Sequence, residues 1–577
     1  MGDQKNLIIA FALALGVLLV WDMFVFQPER KRMEAELAAQ DAAKAASQTL
    51  QTNPNDDLSP QAPSMAPANI APPRADVIGK TARLPFENSE IMGSISLTGA
   101  RLDDLTLTQY FETIEREDNV VLLSPGKTAN PYYIEMGWIA PQGEVIAVPN
   151  AQTVWTPSAS KLTPQSPVTL SWDNGSGLVF KRTYELDENY LFTVTQSVEN
   201  STASDVQLFP YGQIFRRNLP ELENFFVLHE GPLGVFEGSL KEVDYDDIRD
   251  DGPSSFTSTD GWIGITDKYW LTTLVPSQGE AFTSEMKQPR GFSDAYIVNF
   301  REDPRLIPAG GSASVTNAVF AGAKTVELID EYEQKLGIRM FDRTIDWGWF
   351  YFLTKPIFYA LKFFYGIVGN FGIAIILLTV GIKGLLFPLA NKQFESFAKM
   401  KVLQPKMKAL QERFKDDKQK LQMEMMQLYK KEKVNPLSGC LPIFVQIPIF
   451  FSLYKVLFVT IEMRHAPFFG WIKDLSAPDP LTPVNLFGAL AFDPPQMIAI
   501  GIWPIIMGVS MWLQQKMNPT PMDPTQAKIM SFLPIIFTFI LAPFAAGLVI
   551  YWTWNNLLSI AQQWVIQRKV AAKAEAK

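Results

Sequence analysis

At 577 residues the chain is long enough for more than one hydrophobic core, yet it holds a single cysteine, Cys440, and two histidines, His229 and His465. An intramolecular disulfide is excluded, and a zinc site, a Cys–His nucleophile pair or a redox centre lacks the side chains it needs. The formal net charge of −9 is unevenly spread: residues 29–346 carry 46 Asp/Glu against 26 Lys/Arg, while 391–434 carry 12 Lys/Arg against 6 Asp/Glu, as in a chain facing two aqueous compartments across a membrane.

In chain order, residues 7–26 form an apolar run of about the length that crosses a bilayer. No small-x-small cleavage site follows it, so 1–28 is read as an uncleaved signal-anchor transmembrane helix. Residues 29–76, rich in Ala, Gln, Pro and Ser, read as a disordered linker. Residues 77–340 read as an all-β sandwich. Alternation appears at 95–98, 168–172 and 191–195, and Asp173, Asn174, Gly175, Ser176 and Gly177 supply the turn between two such runs. A short helix over 325–336 closes this domain. Two apparent phosphate-loop endings, Gly79-Lys80-Thr81 and Gly126-Lys127-Thr128, lack the required earlier glycine, since Arg74 and Val121 stand there.

Residues 345–368 are aromatic and apolar but carry Lys355, Pro356 and Lys362, which predicts an amphipathic helix lying on the membrane. The segment 369–567 then holds five hydrophobic stretches, at 370–390, 441–461, 496–513, 529–543 and 544–564, making six spans with the first anchor. The last two meet in a tight hairpin around Phe544. Between the first two, 391–434 reads as a basic helical hairpin. If that hairpin is cytoplasmic, so are both termini and the basic tail 568–577, and the acidic β domain lies outside. Arg30, Lys31 and Arg32, just outside the first span, argue the other way but are outweighed by the long basic loop.

Lys383 is the most informative polar residue. A charge within a span costs roughly 2.5–3.5 kcal/mol on insertion scales, so it faces water, a partner or a functional cavity unless it snorkels to the headgroups. Thr379 lies one turn earlier on the same face. Gln446, Asn555, Asn556, Gln562 and Gln563 could line the same cavity or could simply bond neighbouring helices. In the hairpin, Phe394, Phe397, Met400, Leu403, Met407, Leu410 and Phe414 make one apolar stripe, and Leu421, Met425, Leu428 and Tyr429 a second. The two stripes either cover each other or form, with the lysines, a docking surface for acidic lipid or ribosomal RNA.

The stretch Phe387-Pro388-Leu389, Met400-Lys401, Leu403-Gln404-Pro405-Lys406, Asp416-Asp417-Lys418-Gln419 resembles the YidC membrane protein insertase family. So do Glu432 to Cys440, Pro442, Gln446, Pro448-Ile449-Phe450, Gln515-Lys516-Met517, Lys528-Ile529-Met530 and Gly547 to Trp552. The resemblance is close over 347–568. It implies a conserved five-helix insertase core, which with the first anchor makes an α-helical polytopic core of six transmembrane helices, together with a periplasmic β-supersandwich and a cytoplasmic helical hairpin. It also implies an inner-membrane insertase and chaperone rather than an enzyme, acting alone or with the Sec translocon, with no cofactor, metal or small-molecule substrate. Its partners would be nascent membrane-protein segments, the ribosome and lipid.

On this resemblance a hydrophilic groove open to cytoplasm and lipid would hold Lys383, Thr379, Gln446, Tyr551 and Trp552. Ile447 and Phe450 would line the path along which the substrate slides, and Lys399, Lys401, Lys406, Lys408 and Arg413 would dock the ribosome. Two positions depart from the best-known members: Lys383 stands where they have arginine, and Trp552 where they have tyrosine. Lysine keeps the charge without the planar fork, and tryptophan keeps the ring but donates only through N–H. Two other function classes stay open on the residues alone: a solute or proton transporter using Lys383, and a membrane-anchored sugar-binding or sugar-modifying protein working through its β domain.

Overall fold

The computed structural model describes residues 71–220, 228–292, 294–414, 417–432, 441–487, 490, 499–519 and 524–575. The predicted first span, nearly all of the predicted linker, and the segment Asn435 to Cys440 lie outside them. Two units separate, with residues 403–432 in one and 71–402 with 441–575 in the other.

In the larger unit a short helix, α1 (Arg74–Gly79), precedes two antiparallel sheets. The first runs in the order Arg83–Glu87, Ile91–Ser96, Leu102–Phe111, Tyr132–Ile139, Val206–Arg217, Ala295–Glu302, Phe282–Lys287, Ser254–Ser258. The second runs Ser239–Glu242, Gly231–Phe236, Gly261–Thr266, Trp270–Val275, Ser312–Ala323, Leu191–Asn200, Leu178–Leu186, Val168–Asp173, Thr156–Pro157. Sequence alternation becomes burial alternation. In Leu178–Leu186 every second residue, Leu178, Phe180, Arg182, Tyr184 and Leu186, is buried. The inner faces interlock: Phe86 of the first sheet meets Phe192 of the second edge-on at 5.2 Å. Arg182, 2 % exposed, donates to Ala100 O at 2.9 Å and to Met136 O and lies over Trp155, so its buried charge is shared among carbonyls and a ring.

The predicted turn over 173–177 is present. Gly175 and Gly177 take φ of +70° and +91°, and Asn174 Oδ1 accepts from Ser176 N and Leu178 N. Helix α2 (Tyr245–Asp250) packs at one edge, and α3 (Val326–Leu336) closes the sandwich as its sequence predicts, stopping at Gly337 with φ +65°.

A helix α4 (Tyr351–Val368) follows, burying Thr354, Ile357, Phe358 and Leu361 while Phe352, Phe363 and Ile367 stay exposed. Its lysines face the β domain. Lys355 Nζ meets Asp330 at 2.7 Å and Asp342 at 3.0 Å, and Lys362 meets Glu327 at 2.5 Å. Gly369, at φ +65°, ends α4 and lets the chain turn into α5 (Phe371–Arg413). That 43-residue helix, about 65 Å long at 1.5 Å per residue, runs straight through residue 391, where the sequence suggested that a span gives way to a hairpin. Pro388 lies inside it, as membrane helices tolerate.

Beyond α6 (Lys418–Lys431) come α7 (Leu441–Val459), α8 (Ile502–Met517), α9 (Pro524–Leu541) and α10 (Ala546–Glu575). Among the described residues α5 alone is both long and apolar enough to cross a bilayer, with Phe444–Val459 and Ala527–Leu541 as shorter apolar helices. The predicted break near Phe544 is real. The freed amides at the start of α10 are taken up by a loop, Ala546 N donating to Ala477 O at 2.7 Å and Gly547 N to Leu475 O at 3.0 Å. One apolar core continues from the sandwich through Trp347, Ile357 and Phe358 to Leu453, Leu457 and Tyr551.

In the smaller unit the end of α5 and α6 hold each other. Lys406 Nζ meets Glu432 Oε1 at 2.8 Å, Tyr429 Oη donates to Met407 Sδ at 4.0 Å, and Leu403 and Met407 are buried. Asp417 caps α6 by accepting from Lys420 N at 3.0 Å.

Candidate functional site

Helices α7, α8, α9 and α10 line a half-open cavity of about 470 Å³. Gln446 and Ile447 stand four and three residues before Phe450, so both are neighbours of Phe450 on the surface of α7. They meet Tyr551 and Trp552 of α10. Gln446 Nε2 donates to Tyr551 Oη at 2.7 Å, and Phe450 packs edge-on against Trp552 at 4.7 Å. Phe537 of α9 also packs against Trp552, at 5.9 Å. The wall is mainly apolar, from Ile447, Phe450, Met511, Leu533, Phe537 and Trp552, with Gln446, Gln514, Gln515, Asn518, Asn555 and Asn556 also among the lining residues. Four of these amides are engaged within the protein, Gln446 with Tyr551, Gln515 with Met530 O, Asn518 with Gln563 and Asn556 with Ser510. Five of the residues singled out in the sequence, Gln446, Ile447, Phe450, Tyr551 and Trp552, are thus brought together.

Lys383 and Thr379 are not among the lining residues. Thr379 is buried and its hydroxyl donates back to Ile375 O at 2.7 Å within its own helix, so it offers no polar stripe beside Lys383. Lys383 Nζ donates to Ser559 Oγ at 2.8 Å, and Ser559 Oγ donates to Asn555 O at 2.7 Å. The ammonium therefore touches α10 through a serine next to Asn555 of the wall, instead of reaching along its own helix for the headgroups.

The remaining amides of α10 mostly join helices. Asn556 Nδ2 donates to Ser510 Oγ at 2.9 Å, Gln563 Nε2 to Asn518 Oδ1 at 2.9 Å and Gln567 Nε2 to Met517 O at 2.7 Å, fastening α10 to α8. Gln562 Nε2 reaches Asn391 Oδ1 of α5 at 2.9 Å. Ser559, Ser510, Asn518 and Gln567 escaped notice in the sequence. The recurrence of Asn556, Gln563 and Gln567 at intervals of seven and four was the available signal, and it marks a face without naming the partner. Lys455, the other lysine within a predicted span, is paired with Asp346 at 2.8 Å.

Two family models match the chain, the 60Kd inner membrane protein over residues 363–573 and the YidC periplasmic domain over 83–360. A membrane protein insertase YidC from Methylorubrum extorquens (strain PA1) is 47 % identical, covering 99 % of this chain and 96 % of its own. One from Rhizobium meliloti (strain 1021) is 48 % identical, covering 100 % and 97 %. The chain belongs to the YidC family of membrane protein insertases. A solved structure described as an active YidC insertase with its first transmembrane domain resolved shares 18 % identity over 82 % of this chain and 90 % of that one, with a TM-score of 0.35.

The chain is therefore an inner-membrane insertase rather than an enzyme, and its β-sandwich is the YidC periplasmic domain. Of the basic residues that the YidC resemblance made candidates for docking, Lys399 is paired with Glu395 at 2.9 Å and Lys406 with Glu432 at 2.8 Å. Lys401, Lys408 and Arg413 present exposed side chains.

Proposed function

We propose that insertion by this chain passes through the cavity between α7 and α10. The observation that carries this reading is the mainly apolar wall formed by Ile447, Phe450, Phe537 and Trp552, with the amides of Gln514 and Asn555 among its lining residues. An apolar nascent helix fits such a wall, and the few amides give its polar end hydrogen-bond partners. Amides and water in the cavity lower the cost of drawing the polar end part-way into a low-dielectric slab. Sliding the apolar helix along Ile447 and Phe450 into lipid then releases the hydrophobic free energy that drives the step. Lys383, held by Ser559 beside the wall, supplies positive charge to an acidic or polar leading end.

In this reading the chain crosses the membrane six times, with both termini and the hairpin 391–434 in the cytoplasm. Lys401, Lys408 and Arg413 then meet the ribosome or anionic headgroups. Small substrates are inserted by this chain alone and larger ones beside the Sec translocon.

The test is insertion of a short one-span substrate into vesicles reconstituted with Lys383→Arg, Lys383→Ala and Lys383→Glu. Arginine retains insertion, alanine lowers it and glutamate lowers it furthest. Wild-type rates for both alanine and glutamate would remove Lys383 from the mechanism, and wild-type rates for Trp552→Ala with Phe450→Ala would remove the cavity.

A further inference from the structure

Immediately after α7 ends at Val459, the chain makes a single turn over Ile461–Met463 that touches the periplasmic domain twice. Glu462 Oε1 accepts from Val326 N, the first amide of α3, at 3.1 Å. Arg464 Nη2 donates to Glu112 O at 3.2 Å, and its guanidinium lies over Trp270 at 5.4 Å. The α3 N-terminus has no cap from its own Thr325 side chain, so a carboxylate from a distant part of the chain fills that role. The second carboxylate oxygen, Glu462 Oε2, is buried and has no hydrogen-bond partner among the described residues. A fully ionised carboxylate seldom rests this way, because an oxygen removed from water without a donor is costly.

We propose that Glu462 is a positioning residue for insertion: it ties the outer end of α7, the helix carrying Gln446, Ile447 and Phe450, to the periplasmic domain, and the tie is firmer when its carboxyl holds a proton. The consequence for insertion rests on the reading that α7 lines the substrate path; the tie itself does not. The protonated group keeps Oε1 on Val326 N–H and removes the buried charge.

The surrounding charges do not supply an alternative. On α3, Glu327 acts on the same carboxyl; on α4, Lys362 does so too, but it pairs with Glu327 at 2.5 Å. From the first sheet Tyr110 faces it, and on its own turn stand Arg464 and His465. Burial pushes the Glu462 carboxyl up from an ordinary 4.5 to about 7, against the opposing pull of its own backbone amide, the Val326 amide and Lys362. The sign follows from linkage. With the joint closed the group binds its proton more tightly than with the joint open, so the added stability is fully present below 4.5 and is lost as pH rises through about 7.

Hydrogen exchange of the full-length protein in lipid nanodiscs tests this, read on peptides covering 324–332 and corrected for intrinsic exchange rates. Between pH 6 and 8 the opening of the α3 N-terminus rises about tenfold in the wild type. Glu462→Gln, whose amide oxygen still accepts from Val326 N–H, shows no such rise, and its insertion rate loses the wild type's pH dependence. Equal pH dependence of exchange in the two proteins overturns the proposal. So does a Glu462→Gln variant that flattens exchange but leaves the insertion profile as in the wild type. The Trp552 and Phe450 variants report on the cavity reading separately, whatever Glu462 does.

Discussion

Lys455 lies on the same helix as Gln446 and Phe450, and its ammonium meets Asp346 Oδ2 at 2.8 Å with both residues largely shielded from water. The connection between the β domain and α4 is shaped around it. Gly348 takes φ +71°, and a Cβ there would meet Lys455 Cε at 2.8 Å, so the backbone passes where only glycine leaves room for the lysine stem. His229 N also donates to Asp346 Oδ2, at 3.3 Å. Removing one partner of such a pair strands the other, which costs on the order of 3 kcal/mol, whereas replacing both by neutral groups of similar size costs far less. Lys455→Ala is therefore expected to lower the melting temperature of the detergent-solubilised protein sharply, and Lys455→Met with Asp346→Asn to recover most of the loss. Equal losses in single and double variants would show that the lysine acts through packing. The sequence exposes Lys455 as a charge inside an apolar run. Asp346 reads there only as one more acid of an acidic domain, because pairing across the fold leaves no local trace.

Among the helices, those that meet at small residues carry the narrowest tolerances. Gly508 of α8 faces α9, and a Cβ built on it would overlap Thr538 Oγ1, itself bonded to Pro534 O at 2.8 Å. Close approach at small residues is how membrane helices gain packing energy when lipid competes for every apolar surface. Gly508→Ala should push α8 from α9, destabilise by about 1–3 kcal/mol and disturb the cavity that both helices wall. Adding Thr538→Ala should restore part of the stability, read as a double-mutant cycle on thermal unfolding. Unchanged melting of Gly508→Ala alone would refute the contact. Boundaries at this scale were legible wherever a residue type dictates backbone conformation: Gly337 after α3, the 173–177 turn and the break near Phe544 all fall where the sequence puts them. At residue 391 composition changes from apolar to basic while helix propensity does not. α5 therefore continues, and side-chain polarity marks where a helix leaves lipid, not where it ends. The cavity was half legible. Residues spaced along one face of α7 could be grouped in advance, but Ser559 beneath Lys383 and Ser510 beneath Asn556 depend on how α10 rotates against α5 and α8.

For the whole molecule the most informative quantity is the separation of charge along the chain, an acidic β domain preceding a basic helical segment. Translocating a large folded domain depends little on its own charge, whereas a short basic loop is held back on the cytoplasmic side. The proposed orientation rests on 391–434 and the basic tail, against the opposing signal of Arg30, Lys31 and Arg32. The single native cysteine makes this measurable, because Cys440→Ala leaves a background free of thiols. In that background Val145→Cys, on a fully exposed side chain of the β domain, should react with a membrane-impermeant maleimide in intact spheroplasts. Lys401→Cys, also exposed, should react only after the membrane is broken. The reverse pattern would place the β domain inside and refute the charge argument. Labelling of both sites in intact spheroplasts would mean that the basic segment does not determine orientation. That result would also remove the ribosome from the partners of Lys401, Lys408 and Arg413, since those side chains would then face the wrong compartment.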